Sequence, residues 1–65
     1  MSQIDVGDTY ELLGTDTRFE IMDTRNGYWI LKVYAASAPA HSTVPVDMAR
    51  QDLADSVCEG KLTKV

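Results

Sequence analysis

Sixty-five residues carry ten acids, six bases, one histidine and one cysteine, with a formal net charge of -4. A chain of this length forms one domain around one modest core, and a lone cysteine closes no internal disulfide. One cysteine and one histidine do not complete a tetrahedral zinc site, so disulfide scaffolds, zinc fingers, iron–sulfur modules and multidomain enzymes are excluded.

The first five residues, Met1-Ser2-Gln3-Ile4-Asp5, have neither the basic nor the apolar region of a signal peptide. Apolar runs such as Tyr28-Trp29-Ile30-Leu31 fall far short of a bilayer span. With the lone thiol, this leads us to expect a cytoplasmic protein with no membrane partner. The hydrophobic fraction of 45% is that of a folded chain.

Val6-Gly7-Asp8 is a turn signal, and the strand Thr9-Tyr10-Glu11-Leu12-Leu13 follows it, closed by Gly14-Thr15-Asp16. A second strand runs from Thr17 to Asp23. After Thr24-Arg25-Asn26-Gly27, a third strand, Tyr28 to Ala35, is rich in aromatic and β-branched residues. Side-chain pairing selects the hairpin register. A three-residue Arg25-Asn26-Gly27 loop sets Phe19 against Val33 and Ile21 against Leu31, with Glu20 against Lys32 and Arg18 against Tyr34 on the other face. A two-residue Asn26-Gly27 turn shifts the register by one and puts Glu20 on the face of Val33. The three-residue loop, with Gly27 in the left-handed conformation of a bulge, is therefore expected. The core face is Phe19, Ile21, Trp29, Leu31 and Val33.

Ala36 to His41 reads as a loop of small residues, and Ser42 to Val46 as a short strand that Pro45 confines to an edge. Asp47 is expected to cap a helix from about Met48 to Cys58, with Gly60 at its C-terminal end. Ala49, Leu53 and Val57 fall on one face of that helix, flanked by Ala54 and Cys58. Asp52, Asp55 and Glu59 cluster on the opposite, acidic face. Lys61 to Val65 returns as a last strand.

The residues that carry chemistry are sparse. Cys58 lies near the negative end of the helix, which raises a thiol pKa, so a packed, inert thiol is expected. His41 has no identifiable partner. Asp52, Asp55 and Glu59 read as a solvated face and a candidate acidic interaction surface. Asp5, Asp8 and Asp16 lack the pattern of a calcium loop, and no glycine-rich phosphate loop occurs. We expect no catalytic residues, no metal and no cofactor. The outward face of the hairpin gathers Arg18, Lys32 and Tyr34, with Tyr28 beyond them, as the candidate interaction surface. Such a cluster suits single-stranded nucleic acid, but Glu20 shares the face and the chain is acidic. A Glu20–Lys32 ion pair and an arginine–aromatic contact are the simpler expectation. The Asp-biased acidity also resembles that of proteins from salt-adapted cells, or of partners of basic proteins.

The opening Val6-Gly7-Asp8-Thr9-Tyr10, the central Asn26-Gly27-Tyr28-Trp29 and the stretch from Asp47 to Gly60-Lys61-Leu62 resemble the small SH3-like β-barrel proteins of phage, prokaryotic and haloarchaeal genomes. The resemblance implies an interaction module and carries over no site residues. The fold expected is α+β: a strongly curved antiparallel sheet of four to five strands with one packed helix near the C-terminus, either closed as a small barrel or open. The expected role is non-enzymatic binding of another protein or of a second copy of this chain as a homodimer; the alternative is a single-stranded nucleic-acid-binding or regulatory barrel.

Overall fold

The computed structural model describes residues 4–38 and 44–65. Strands β1 (Thr9–Leu12), β2 (Thr17–Arg25), β3 (Tyr28–Ala35) and β4 (Val44–Ala49) are followed by helix α1 (Arg50–Cys58) and strand β5 (Leu62–Lys64). All strand pairs are antiparallel, in the order β4-β3-β2-β1-β5. This is the expected α+β architecture with one C-terminal helix. β4 and β5 are the two outer strands, and α1 joins one to the other and packs on both.

The inner face of the sheet holds the core. Tyr10, Ile21, Trp29, Leu31, Leu53 and Leu62 are buried, and Ile4, Leu12, Phe19, Met48 and Val57 pack around them. Five of these six buried residues lie on strands whose register sets them on one side, with Leu53 of α1 laid across them. Leu53 is wholly buried, so the helix lays its apolar ridge against the inner face of the sheet. Tyr10 and Leu62 join the core beyond the expected set, whereas Val33 is only half-buried.

The hairpin corrects one expectation and explains why it arose. The loop contains two residues, Asn26 at φ 51° and Gly27 at φ 82°, between the paired Arg25 and Tyr28. Positive φ at both positions is the signature of the turn that matches strand twist. The extra residue sits in the strand instead: the register shifts between Ile21 and Asp23, leaving Met22 as a bulge. Below the bulge the pairs are those expected, Phe19↔Val33, Ile21↔Leu31, Glu20↔Lys32 and Arg18↔Tyr34. A residue inserted in the loop and a residue inserted at Met22 give the same pairing there.

The helix starts later than expected. Asp47 and Met48 belong to β4, whose ladder with β3 runs to Tyr28↔Ala49, so Asp47 caps nothing and Ala49 is the N-cap, without a side-chain capping bond. Register explains the competition: Ile30↔Asp47 and Trp29↔Met48 are successive ladder partners, so the chain here is extended in the sheet before the helix begins. At the other end Gly60, at φ 79°, follows the C-cap Glu59, and Lys61 N–H donates to Ser56 O at 2.9 Å. Cys58 is exposed, which overturns the packed thiol: its position flanks the buried ridge but stays on the solvent side. After β3, Ala38 bridges back to Ala35. His41, and Ser42 and Thr43 of the expected fourth strand, lie outside the described residues.

Candidate functional site

Side chains alternate across a strand, so the register fixes the outer face. Along β3 it carries Tyr28, Ile30, Lys32 and Tyr34. Their partners on β2 are Arg25, Asp23, Glu20 and Arg18, and β4 contributes Asp47 and Pro45 beside Ile30 and Lys32. On β1, Thr9 and Glu11 continue the rows of Glu20 and Arg18. The four residues expected on one surface, Arg18, Lys32, Tyr34 and Tyr28, do share it.

Their contacts differ from expectation. Arg18 turns to Glu11, with Nε 3.4 Å from Oε2. Lys32 Nζ lies 5.9 Å from the Tyr34 ring centroid, so the cation on that ring is the lysine of the same strand. Glu20 faces Lys32 across the ladder, but among the described residues the ion pairs are Arg18–Glu11, Lys61–Glu59 and Lys64–Asp8. The face is not basic once complete. Glu11, Asp23 and Asp47 join Glu20 against Arg18, Arg25 and Lys32. Glu11 and Asp47 come from neighbouring strands, and the bulge at Met22 turns Asp23 of the hairpin to this face.

At the hairpin end of this face, Arg25, Asn26, Tyr28, Ile30 and Asp47 line a hollow of about 230 Å³. Tyr28 is 50% exposed. The hollow has an aromatic and aliphatic floor with a cation on one side and a carboxylate on the other.

The acidic face of α1 is as expected: Asp52, Asp55 and Glu59 are exposed. It is partly engaged, since Gln51 Nε2 donates to Asp55 Oδ1 at 2.8 Å and Lys61 Nζ lies 3.4 Å from Glu59. The start of the same helix carries a contact the sequence did not suggest. The Arg50 guanidinium lies over the Trp29 ring, 4.8 Å from its centroid, and donates to Thr24 Oγ1.

Asp8 is a second unanticipated hub. Its Oδ2 accepts from Asp5 N–H at 3.0 Å and from the Tyr10 hydroxyl at 3.5 Å, while Oδ1 lies 3.5 Å from Lys64 Nζ. Burial, reinforced by the Asp8 charge, pushes the Tyr10 phenol pKa up. Asp16 holds the turn after β3: its Oδ2 accepts from the Ser37 hydroxyl and from Ser37 N–H. The hydroxyl bond first, then the backbone bond, lowers the Asp16 pKa. Both acids organise turns.

Among the described residues no three His, Cys, Asp or Glu side chains gather as a metal site, and no helix is long and apolar enough to cross a membrane. Set against family models, curated proteins and solved structures, the chain matches none.

Proposed function

We propose that this chain is a non-enzymatic protein-interaction module on a small SH3-like barrel, acting through the outer face of β3. The observation that carries the reading is the row of Tyr28, Ile30, Lys32 and Tyr34, which presents two aromatic rings on the side of the sheet away from α1. Aromatic side chains supply much of the energy at protein interfaces. The barrel reading draws on the strand order, in which β5 returns to β1 while α1 crosses from β4 to β5 and packs on both outer strands.

Charge favours a protein over a nucleic acid. Binding to phosphates needs net positive charge along the contact, and the acids on this face outnumber the bases. Interspersed charges of both signs instead suit a complementary protein surface.

The test is a Tyr28→Ser, Tyr34→Ser double variant, with circular dichroism to confirm the fold, compared with the parent in sedimentation and co-purification at working salt. Partner or self-association lost in the variant supports the module. A parent that stays a monomer and recovers nothing removes its basis. Titration with single-stranded DNA at low salt separates the alternative, because electrostatic affinity is greatest there. Salt adaptation of the acidic surface is a distinct proposal, supported by thermal stability that climbs steeply into molar salt.

A further inference from the structure

β4 is an outer strand, so half of its main-chain hydrogen-bonding groups face away from β3. The ladder tells which half. Arg50 N–H donates to Gly27 O at 3.0 Å, one step beyond the Tyr28↔Ala49 pair. Bonded and non-bonded pairs alternate along an antiparallel ladder. Trp29↔Met48 and Leu31↔Val46 are therefore bonded, and Pro45, Asp47 and Ala49 turn their main-chain groups outward. Pro45 has no N–H to offer. Among the described residues the open row is the carbonyl of Pro45, both groups of Asp47 and the N–H of Ala49, after which the chain enters α1.

The side chains of this row lie on the outer face, beside Ile30 and Tyr28. Asp47 also borders the hollow lined by Tyr28, Ile30 and Arg25. An open main-chain donor–acceptor pair thus coincides with a carboxylate and an apolar depression. We infer that, granted the interaction-module reading, this edge takes up a short extended peptide as an added strand, with a lysine or arginine of the peptide opposite Asp47.

The geometry sets length, charge and orientation. Four main-chain groups support a pairing of about three residues, because Pro45 stops it on one side and α1 on the other. The peptide residue opposite Asp47 exchanges both hydrogen bonds with it, and its side chain falls on the outer face, where a base pairs with the carboxylate. A long basic side chain extends past Asp47 onto the Ile30 and Tyr28 surface. Arg25 stands two strands from β4, roughly 10 Å away, so the incoming cation meets Asp47 first. A second copy of β4 is a poor occupant: two-fold pairing centred on Asp47 sets one carboxylate against the other.

The probe is an acetylated, amidated pentapeptide of threonine, valine, lysine, valine and threonine, titrated into the full chain and followed by amide chemical shifts. The expected result is saturable shifts centred on Asp47, Ala49 and Tyr28, with slowed exchange of the Asp47 amide. Replacing the peptide lysine by glutamate, methylating that residue's main-chain nitrogen, or the variant Asp47→Asn each weakens binding at least about threefold. An N-methylated peptide that binds as well as its parent overturns strand addition, and so does the absence of any shift at millimolar peptide. Shifts confined to Lys32 and Tyr34 overturn this edge as the site while leaving the interaction-module reading intact.

Discussion

The Arg50 guanidinium stacks over the Trp29 ring at 4.8 Å, fastening the first residue of α1 to the second residue of β3. A cation at a helix N-terminus opposes the helix dipole, so Arg50 is held there by what it touches. Its guanidinium also donates to Thr24 Oγ1, and the Thr24 hydroxyl donates to Tyr28 O at 3.2 Å. The helix start, the hairpin turn and the largest core aromatic are linked in one chain of contacts.

Arg50→Ala should therefore destabilise the fold by about 1 to 2 kcal/mol, read by denaturant unfolding. Arg50→Lys should recover little of this, because an ammonium lacks the planar face and the forked donors. A double-mutant cycle with Thr24→Ala should show coupling between the two positions. Equal stability of the Arg50→Ala variant and the parent would remove the latch.

The bulge makes a sharper prediction about register. Met22 is exposed, and the pairs on either side of it are Ile21↔Leu31 and Asp23↔Ile30. Deleting Met22 places Asp23 directly after Ile21 with the alternation of faces unbroken. The deletion variant should fold with every cross-strand pair retained and with a flatter hairpin, since bulges increase local twist. Cross-strand nuclear Overhauser contacts between Ile21 and Leu31 and between Thr24 and Trp29 provide the check. Loss of the second contact would mean that the extra residue is required for the Asn26-Gly27 turn.

Met22 also marks the limit of what the sequence discloses. Alternation from Thr17 to Ile21 and from Leu31 to Ala35 fixed which face each side chain takes and so brought Arg18, Lys32, Tyr34 and Tyr28 together. The same pattern cannot distinguish a residue added in the loop from one added in the strand. The acids that complete the surface, Glu11 and Asp47, come from neighbouring strands whose register depends on long-range pairing, so their arrival was not legible. Asp47 has the composition of a helix cap, but it lies opposite Ile30 in the extended strand β4, two residues before the N-cap Ala49. Tertiary pairing outweighed local preference there.

Asp16 gives a pH dependence with a definite sign. Its carboxylate accepts the Ser37 hydroxyl and N–H, which lowers its pKa in the folded state. A lowered folded pKa contributes stability that is fully present above the unfolded aspartate value of about 3.9 and is lost as pH falls through the folded one. The parent should exceed Asp16→Asn in melting temperature at neutral pH, and the gap should close as the solution is acidified below that value. A gap independent of pH would show that the bonds to Ser37 do not depend on the charge.

The uncapped start of α1 offers a gain in stability. Ala49 occupies the N-cap with φ -57° and ψ 140° and no side-chain bond to the first turn, so amides there lack the partner that a capping oxygen supplies. Ala49→Asp places a carboxylate where the helix dipole is positive and where the Asp52 amide is within capping reach. The variant should be more stable by about 0.5 to 2 kcal/mol. Asn at the same position separates the effects, since it supplies the acceptor without the charge. A gain with Asp that survives in Asn and resists added salt assigns the benefit to the hydrogen bond. A gain confined to Asp at low salt assigns it to the dipole. No gain with either residue would mean that pairing with Tyr28 holds Ala49 too firmly in β4 for its side chain to turn toward the helix.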